Sequence, residues 1–173
     1  MRILICATGS HGDVIPFIAL GRALQKRNCE VFILTHRYFQ PRIQEHGLHC
    51  IGIGESAEEY QQLISDPQLT ESHRGTKILA QAITANLAQE LELLRSYVVP
   101  GRTVAIGSTL ALLPRLLKQI DDVYCVTTHL APVMLRCHQR LPRFGANHIV
   151  PRLPPPLPAF VWYLLDRLVF DPA

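Results

Sequence analysis

No run of about 20 uncharged apolar residues occurs in the chain, the length a helix needs to cross a hydrocarbon core, so no bilayer span is expected. Charge is scarce. Only 18% of the 173 residues are Asp, Glu, Lys or Arg, and 48% are hydrophobic, where ~25% charged is usual. A chain this long and this apolar is expected to bury a core of its own and not to stay disordered. Paired cysteines are missing. Cys6, Cys29, Cys50, Cys125 and Cys137 form no C-x-x-C motif, which removes the signature of zinc sites and thioredoxin-like redox chemistry. Four of them, Cys6, Cys29, Cys50 and Cys125, sit in or beside apolar runs and read as small buried hydrophobes. The eight histidines include no H-x-x-x-H pair, so no metal site is expected. The G-x-G-x-x-G fingerprint and the Gly-Lys-Ser/Thr of a Walker loop are both absent.

The charge that is present lies unevenly. Residues 1–122 carry 12 Lys/Arg and 12 Asp/Glu, and the net charge of +3 comes from residues 123–173. There Arg136, Arg140, Arg143, Arg152 and Arg167 stand against Asp166 and Asp171, among eight of the 13 prolines. Five arginines spread that thinly do not make a nucleic-acid footprint, so no nucleic-acid partner is expected. Met1 to Ala7 lacks the long apolar segment of a signal peptide, and Gly9, His11, Gly12 and Asp13 follow at once. The start reads as a mature cytoplasmic N-terminus.

Strands and helices alternate along the chain. Arg2 to Ala7 reads as a buried strand that breaks at Thr8-Gly9-Ser10-His11-Gly12. Pro16 is expected to open a helix with Phe17, Leu20 and Leu24 on one face, closed by Lys26-Arg27-Asn28. A second strand spans Glu30 to Thr35, a helix Tyr38 to His46 with Gly47 as its stop, and a third strand Leu48 to Ile53. Residues 55–72 are polar and acidic, with a break at Asp66-Pro67. The spacing of Leu79, Ile83, Leu87, Leu91 and Leu94 predicts one long helix from about Ser72 to Val98. A fourth strand at Thr103 to Gly107, a helix at Leu110 to Gln119 and a fifth strand at Val123 to Thr128 follow. Residues 129–156 read as irregular, and Leu157 to Phe170, with the only tryptophan, Trp162, as a helix. This order implies a Rossmann-like, doubly wound parallel sheet, whose ligands bind beyond the carboxyl ends of its strands.

The turn after the first strand is therefore where chemistry is expected. Gly9-Ser10-His11-Gly12 is G-x-x-G, and the second strand ends in Thr35-His36-Arg37, where a dinucleotide site wants an acid. NAD and FAD are not expected, although backbone N–H groups at a helix N-terminus still favour a phosphate or carboxylate. Asp13 has two readings. As a cap or first-turn acid it stabilises the helix by ~0.5–2 kcal/mol. As a general base it stands at the mouth of the sheet, with His11 or His36 near enough to orient it. His11 otherwise reads as a solvent-facing loop residue.

These residues carry a resemblance. Met1-Arg2-Ile3-Leu4-Ile5, then Gly9-Ser10-His11-Gly12-Asp13-Val14-Ile15-Pro16 and Ala19-Leu20-Gly21-Arg22-Ala23-Leu24, resemble the opening of GT-B glycosyltransferases. The nearest groups act on sterols, on glycopeptide and macrolide antibiotics and on rhamnolipid-type acceptors. The likeness continues through Thr35-His36, Phe39, Gly47-Leu48 and Ile51-Gly52-Ile53-Gly54. It extends more loosely through His129-Leu130-Ala131-Pro132 and Leu141-Pro142 to Trp162, Asp166, Arg167 and Asp171-Pro172.

The resemblance implies one half of a GT-B fold. The N-terminal domain binds the acceptor, a C-terminal domain binds the nucleotide sugar, and transfer is inverting without a bound metal or other cofactor. It places the catalytic base at Asp13, and Gly9, Ser10, His11 and Gly12 in a loop beside acceptor and donor phosphates. In the family's plant small-molecule members a His followed by x-x-Pro falls there, the spacing of Asp13-Val14-Ile15-Pro16. Residues 1–173 are expected to be the N-terminal, acceptor-binding domain, with no donor domain and no His-x-Gly-Gly diphosphate segment. Its partners would be a nucleotide-sugar donor, held by the missing domain, and a hydrophobic or small-molecule acceptor. The Pro-rich basic segment at about 129–158 reads either as a surface loop or as an acceptor-gripping loop. In the second case His129, Pro132, Met134 and Arg136 would bind the acceptor. The apolar stretch at about 157–170 is too short for a span and suits packing on the sheet, contact with a donor domain or peripheral membrane contact. Two other classes stay open: a non-catalytic subunit of a split glycosyltransferase, and a nucleotide- or flavin-binding α/β module. A reading frame that continues past Ala173 marks truncation. A stop followed by a donor-half gene marks a split enzyme.

Overall fold

The computed structural model describes residues 1–54, 57–65, 78, 81–131, 160 and 163. Contacts divide the chain into two units, Met1–Thr128 and His129–Ala173. The elements below belong to the first.

Five parallel strands form one sheet in the order β3-β2-β1-β4-β5. They are β1 (Arg2–Cys6), β2 (Glu30–His36), β3 (His49–Ile53), β4 (Thr103–Ser108) and β5 (Tyr124–Thr128). Between them run α1 (His11–Gln25), a 3₁₀ turn (Arg37–Phe39), α2 (Gln40–Glu45), α3 (Ala57–Ser65), α4 (Leu87–Arg95) and α5 (Leu113–Asp121). The unbroken apolar run of β1 follows from its central place, because a parallel strand covered on both faces has no polar side. Ile3 and Ile5 bury with Phe17 and Ile18 of α1 and Ile43 of α2. Leu4 and Cys6 bury on the other face with Leu94 of α4 and Leu117 of α5. The sheet is thus the middle of three layers. The edge strand β5 leaves Tyr124 and Val126 exposed. Among the described residues no helix is long and apolar enough to cross a membrane.

Two bidentate arginines tie elements together at the surface. Arg2 meets both carboxylate oxygens of Glu30 at 2.9 and 3.0 Å. Arg95 of α4 holds Asp121 of α5 at 2.9 and 3.0 Å and also reaches Glu92. Partly exposed pairs of this kind contribute about 0–1 kcal/mol each, so the core carries the fold.

Gly21 sets how closely α1 approaches the sheet. A Cβ there would stand 3.1 Å from Leu48 Cδ1 and 3.4 Å from Val31 Cγ1. Gly21→Val is expected to lower stability by about 1–3 kcal/mol through overpacking. Denaturant unfolding monitored by far-UV circular dichroism measures it, and an unchanged midpoint would contradict the close approach.

The five strands lie where the sequence predicts them, within about two residues at the ends. Three helical expectations change. Helix α1 begins at His11, and Pro16 lies inside it. The reason is Ser10-x-x-Asp13, which forms a capping box at the first turn. The long helix of residues 72–98 is interrupted: residues 81–84 are helical, Ala85 and Asn86 form a turn, and α4 starts at Leu87. Asn86 has φ −120° and ψ 18°, outside helical geometry, as suits a side chain that competes for backbone hydrogen bonds. Helix α5 starts at Leu113, not Leu110, with Pro114 in its first turn, where proline is tolerated. Helix α3 was not expected at all. Of the four cysteines read as buried, Cys6 is buried and Cys29, Cys50 and Cys125 are half-buried.

Candidate functional site

The sheet order defines the site. Strand β1 lies between β2 and β4. Helix α1, which follows β1, packs on one face, and α5, which follows β4, packs on the other. The carboxyl ends of β1 and β4 therefore open into a crevice of the kind where doubly wound sheets bind ligands. The two flanking loops meet: the Thr8 N–H donates to Ser108 Oγ at 3.5 Å.

The loop after β1 is built around Asp13. Its Oδ2 accepts from the Ser10 N–H at 2.8 Å and from the Ser10 hydroxyl at 3.0 Å. Ser10 is the N-cap of α1 and Asp13 its third helical residue, so the carboxylate completes the acid side of a capping box. Among the described residues, Asp13 Oδ1 accepts no hydrogen bond. Gly9 has φ +129°, a conformation open to glycine. A Cβ on Gly9 would run into the Asp13 carboxylate. The loop and the acid are thus shaped to each other.

Aromatic rings wall one side of this loop. His11 lies edge-on to Tyr38 and to Phe39, with ring centroids 5.4 and 5.0 Å apart. Tyr60, from α3, stacks on Tyr38 at 5.0 Å and on His36 at 4.6 Å. The Tyr60 hydroxyl donates to the Gly9 carbonyl at 2.7 Å. Burial first, then the charge of Asp13 and the neighbouring Tyr38, push the Tyr60 phenol up to about 12, so it stays a hydrogen-bond donor at neutral pH. His36 Nδ1 accepts from the Tyr38 N–H at 3.2 Å, which fixes the start of the 3₁₀ turn and with it the ring positions.

The structure brings Gly9, Ser10, His11, Gly12 and Asp13 together at the head of α1, with Gly12 and Ser10 exposed and His11 and Asp13 half-buried. His11 differs from the solvent-facing loop residue expected. It is the first residue of α1, and its ring leans on Tyr38 and Phe39. Asp13 makes the capping contacts of its first reading, and its Oδ1 accepts no hydrogen bond among the described residues. His129 belongs to the second unit. Pro132, Met134 and Arg136, with the rest of the basic Pro-rich segment, lie outside the described residues. Tyr60 is the site residue that motif reading leaves out. The spacing of Tyr60, Leu63 and Ile64 is a helical one that would have suggested α3.

Two features lie apart from the site. A concavity of about 400 Å³ opens at the other end of the sheet, lined by Met1, Arg102, Asp122 and Tyr124 among others. Cys6 is fully buried, and burial raises its thiol far above the usual range, so it is an inert core residue. Among the described residues, no group of three or more His, Cys, Asp or Glu stands close enough to hold a metal ion.

A doubly wound parallel sheet of this order, with its crevice beyond the carboxyl ends of β1 and β4, defines a Rossmann-like domain. The chain belongs to the glycosyltransferase family 28 N-terminal domain, whose family model matches residues 3–121. It is 39% identical over 69 residues to a sterol 3-beta-glucosyltransferase of Pichia angusta, covering 39% of this chain and 6% of that protein. It is 42% identical over 48 residues to the O-mycaminosyltylonolide 6-deoxyallosyltransferase of Streptomyces fradiae, covering 28% of this chain and 11% of that protein. Among solved structures, the spinosyn rhamnosyltransferase SpnG superposes with a TM-score of 0.57 at 21% identity, over 78% of this chain and 37% of SpnG. The glycosyltransferase of kitacinnamycin gives 0.57 at 16% identity, over 77% of this chain and 31% of its own. At these identities the structural likeness establishes the shared fold. The chain spans a small part of its curated relatives and about a third of these structural neighbours.

Proposed function

We propose that this chain is the acceptor-binding half of an inverting, metal-independent glycosyltransferase. The enzyme would move a sugar from a nucleotide-sugar to a hydroxyl of a lipid-like or small-molecule acceptor. The observation that carries the reading is Asp13. It is a half-buried carboxylate at the crevice, with Oδ2 anchored by Ser10 and Oδ1 free of hydrogen bonds among the described residues. The anchored oxygen fixes the group's position, and the free one is the base.

Asp13 would take the proton from the acceptor hydroxyl as its oxygen attacks the anomeric carbon. The new carbon–oxygen bond forms on the face opposite the departing nucleoside diphosphate, so configuration inverts. The donor domain would hold the diphosphate. Gly9, Ser10, His11 and Gly12 would line the cleft, where the N-terminus of α1 favours negative charge. Acceptor class is supported by the relatives' names, several of which are sterol 3-beta-glucosyltransferases. One fold neighbour has been solved with spinosyn aglycone and with thymidine diphosphate. His129, Pro132, Met134 and Arg136 remain proposed acceptor contacts within an acceptor domain spanning residues 1–173, and the protein is proposed to work in the cytoplasm.

Transfer from several nucleotide sugars to sterol and macrolide hydroxyls tests this. The chain alone is expected to give no turnover, and the chain joined to a donor half to give sustained turnover. Robust transfer by the chain alone would contradict its being one half of the active site. Failure of every donor and acceptor in the joined form would contradict the activity.

A further inference from the structure

We infer that Tyr60 is a positioning residue that locks the catalytic loop and links it to the α3 segment; this rests on the reading of Asp13 as base. The evidence is a convergence of contacts across long sequence separations. Tyr60 is donated by α3, 51 residues beyond Gly9, yet its hydroxyl reaches the Gly9 carbonyl at 2.7 Å. Gly9 is the residue whose positive φ turns the chain from β1 into the loop, and a Cβ placed on it would fall on the Asp13 carboxylate. The next amide, the Ser10 N–H, is the one that Asp13 Oδ2 accepts at 2.8 Å. Fixing the Gly9 carbonyl fixes the plane of the Gly9–Ser10 peptide, and that plane aims the Ser10 N–H at Asp13. Tyr60 therefore sets the carboxylate's orientation through one peptide unit, without touching a reacting atom.

The ring is held as firmly as the hydroxyl. Tyr60 is buried, stacks on Tyr38 and His36, and meets Phe39 edge-on at 5.3 Å. His11 touches Tyr38 and Phe39 from the loop side. The hydroxyl is thus preorganised, and the bond costs little rotamer entropy to keep. A tyrosine is needed because phenylalanine fills the same aromatic slot and leaves the Gly9 carbonyl without its donor. A shift of α3 would move the loop with it, because Tyr60 is anchored in both.

Tyr60→Phe and Asp13→Asn in the complete glycosyltransferase test the inference. The probes are steady-state kinetics over pH and amide hydrogen exchange at Ser10. For Tyr60→Phe the expectation is a kcat about tenfold lower with the acceptor KM within about twofold, because misalignment costs rate and not binding. Ser10 amide exchange should quicken about tenfold while the amides of β1 stay as protected as before. An unchanged kcat, a change in KM alone, or unchanged Ser10 exchange would overturn the role. Asp13→Asn separates the two readings. If it loses rate while Tyr60→Phe does not, only the positioning role fails. If it keeps full rate, the base assignment fails first.

Discussion

Asp13→Asn is expected to slow sugar transfer to an aliphatic hydroxyl by ~10²–10⁴, the usual size of a general-base contribution. The same substitution should cost the fold little. Asparagine keeps a side-chain oxygen where Oδ2 accepts from Ser10 at 2.8 and 3.0 Å, so the cap survives in weaker form. Loss of a whole cap costs ~0.5–2 kcal/mol, and this loss should fall at the bottom of that range. The rate change corresponds to about 3–5 kcal/mol of barrier. These magnitudes separate the two roles of Asp13. A cap alone gives a small stability change and no rate change, whereas a base gives a large rate change and a small stability change. Paired measurements of kcat and unfolding midpoint on one variant decide between them.

Gly9→Ala should have the second-largest effect, and by a different route. At φ +129° an L side chain is strained, at a cost of about 1–3 kcal/mol. Its Cβ would also fall on the Asp13 carboxylate, which must then swing away from the position that Ser10 gives it. A displacement on the scale of an ångström at a reacting group costs ~10²-fold in rate. Gly9→Ala is therefore expected to combine a lowered unfolding midpoint with a kcat near that of Asp13→Asn. Gly12→Ala is the control for stability. Its Cβ meets nothing closer than Ser10 Oγ at 3.8 Å, so the unfolding midpoint should change little. An equal loss of midpoint from both glycines would show that the loop responds to any added carbon, against a specific clash with Asp13.

The strands were legible because their apolar runs are short, β-rich and bounded by turn residues. The first crevice loop was legible because Gly9 to Asp13 interrupts the first such run. The start of α1 was misjudged because Pro16 is a strong local signal for a first turn. The weaker-looking pair Ser10 and Asp13 in fact caps the helix five residues earlier. Helix α3 is disguised by its acidic surroundings: Tyr60, Leu63 and Ile64 keep helical spacing, but Glu55, Glu58, Glu59 and Asp66 give the stretch the composition of a loop, and its role comes from one tyrosine. The partners of that tyrosine, Gly9, His36 and Tyr38, come from segments that only the β1–β2–β3 register brings together. No spacing rule within a single segment contains that contact. The same holds for His11, whose neighbours Tyr38 and Phe39 arrive from the far end of β2.

The central claim is that Asp13 removes the acceptor's proton, and the dependence of its effect on acceptor acidity tests that most directly. The ratio of wild-type to Asp13→Asn turnover should be measured in the complete enzyme with an aliphatic alcohol and with a phenol acidic enough to be ionised at the assay pH. A base is needed for the first acceptor and not for the second. The ratio is expected to fall from ~10²–10⁴ with the alcohol to below about tenfold with the phenolate. An equal loss with both acceptors would mean that Asp13 holds the loop together and takes no proton.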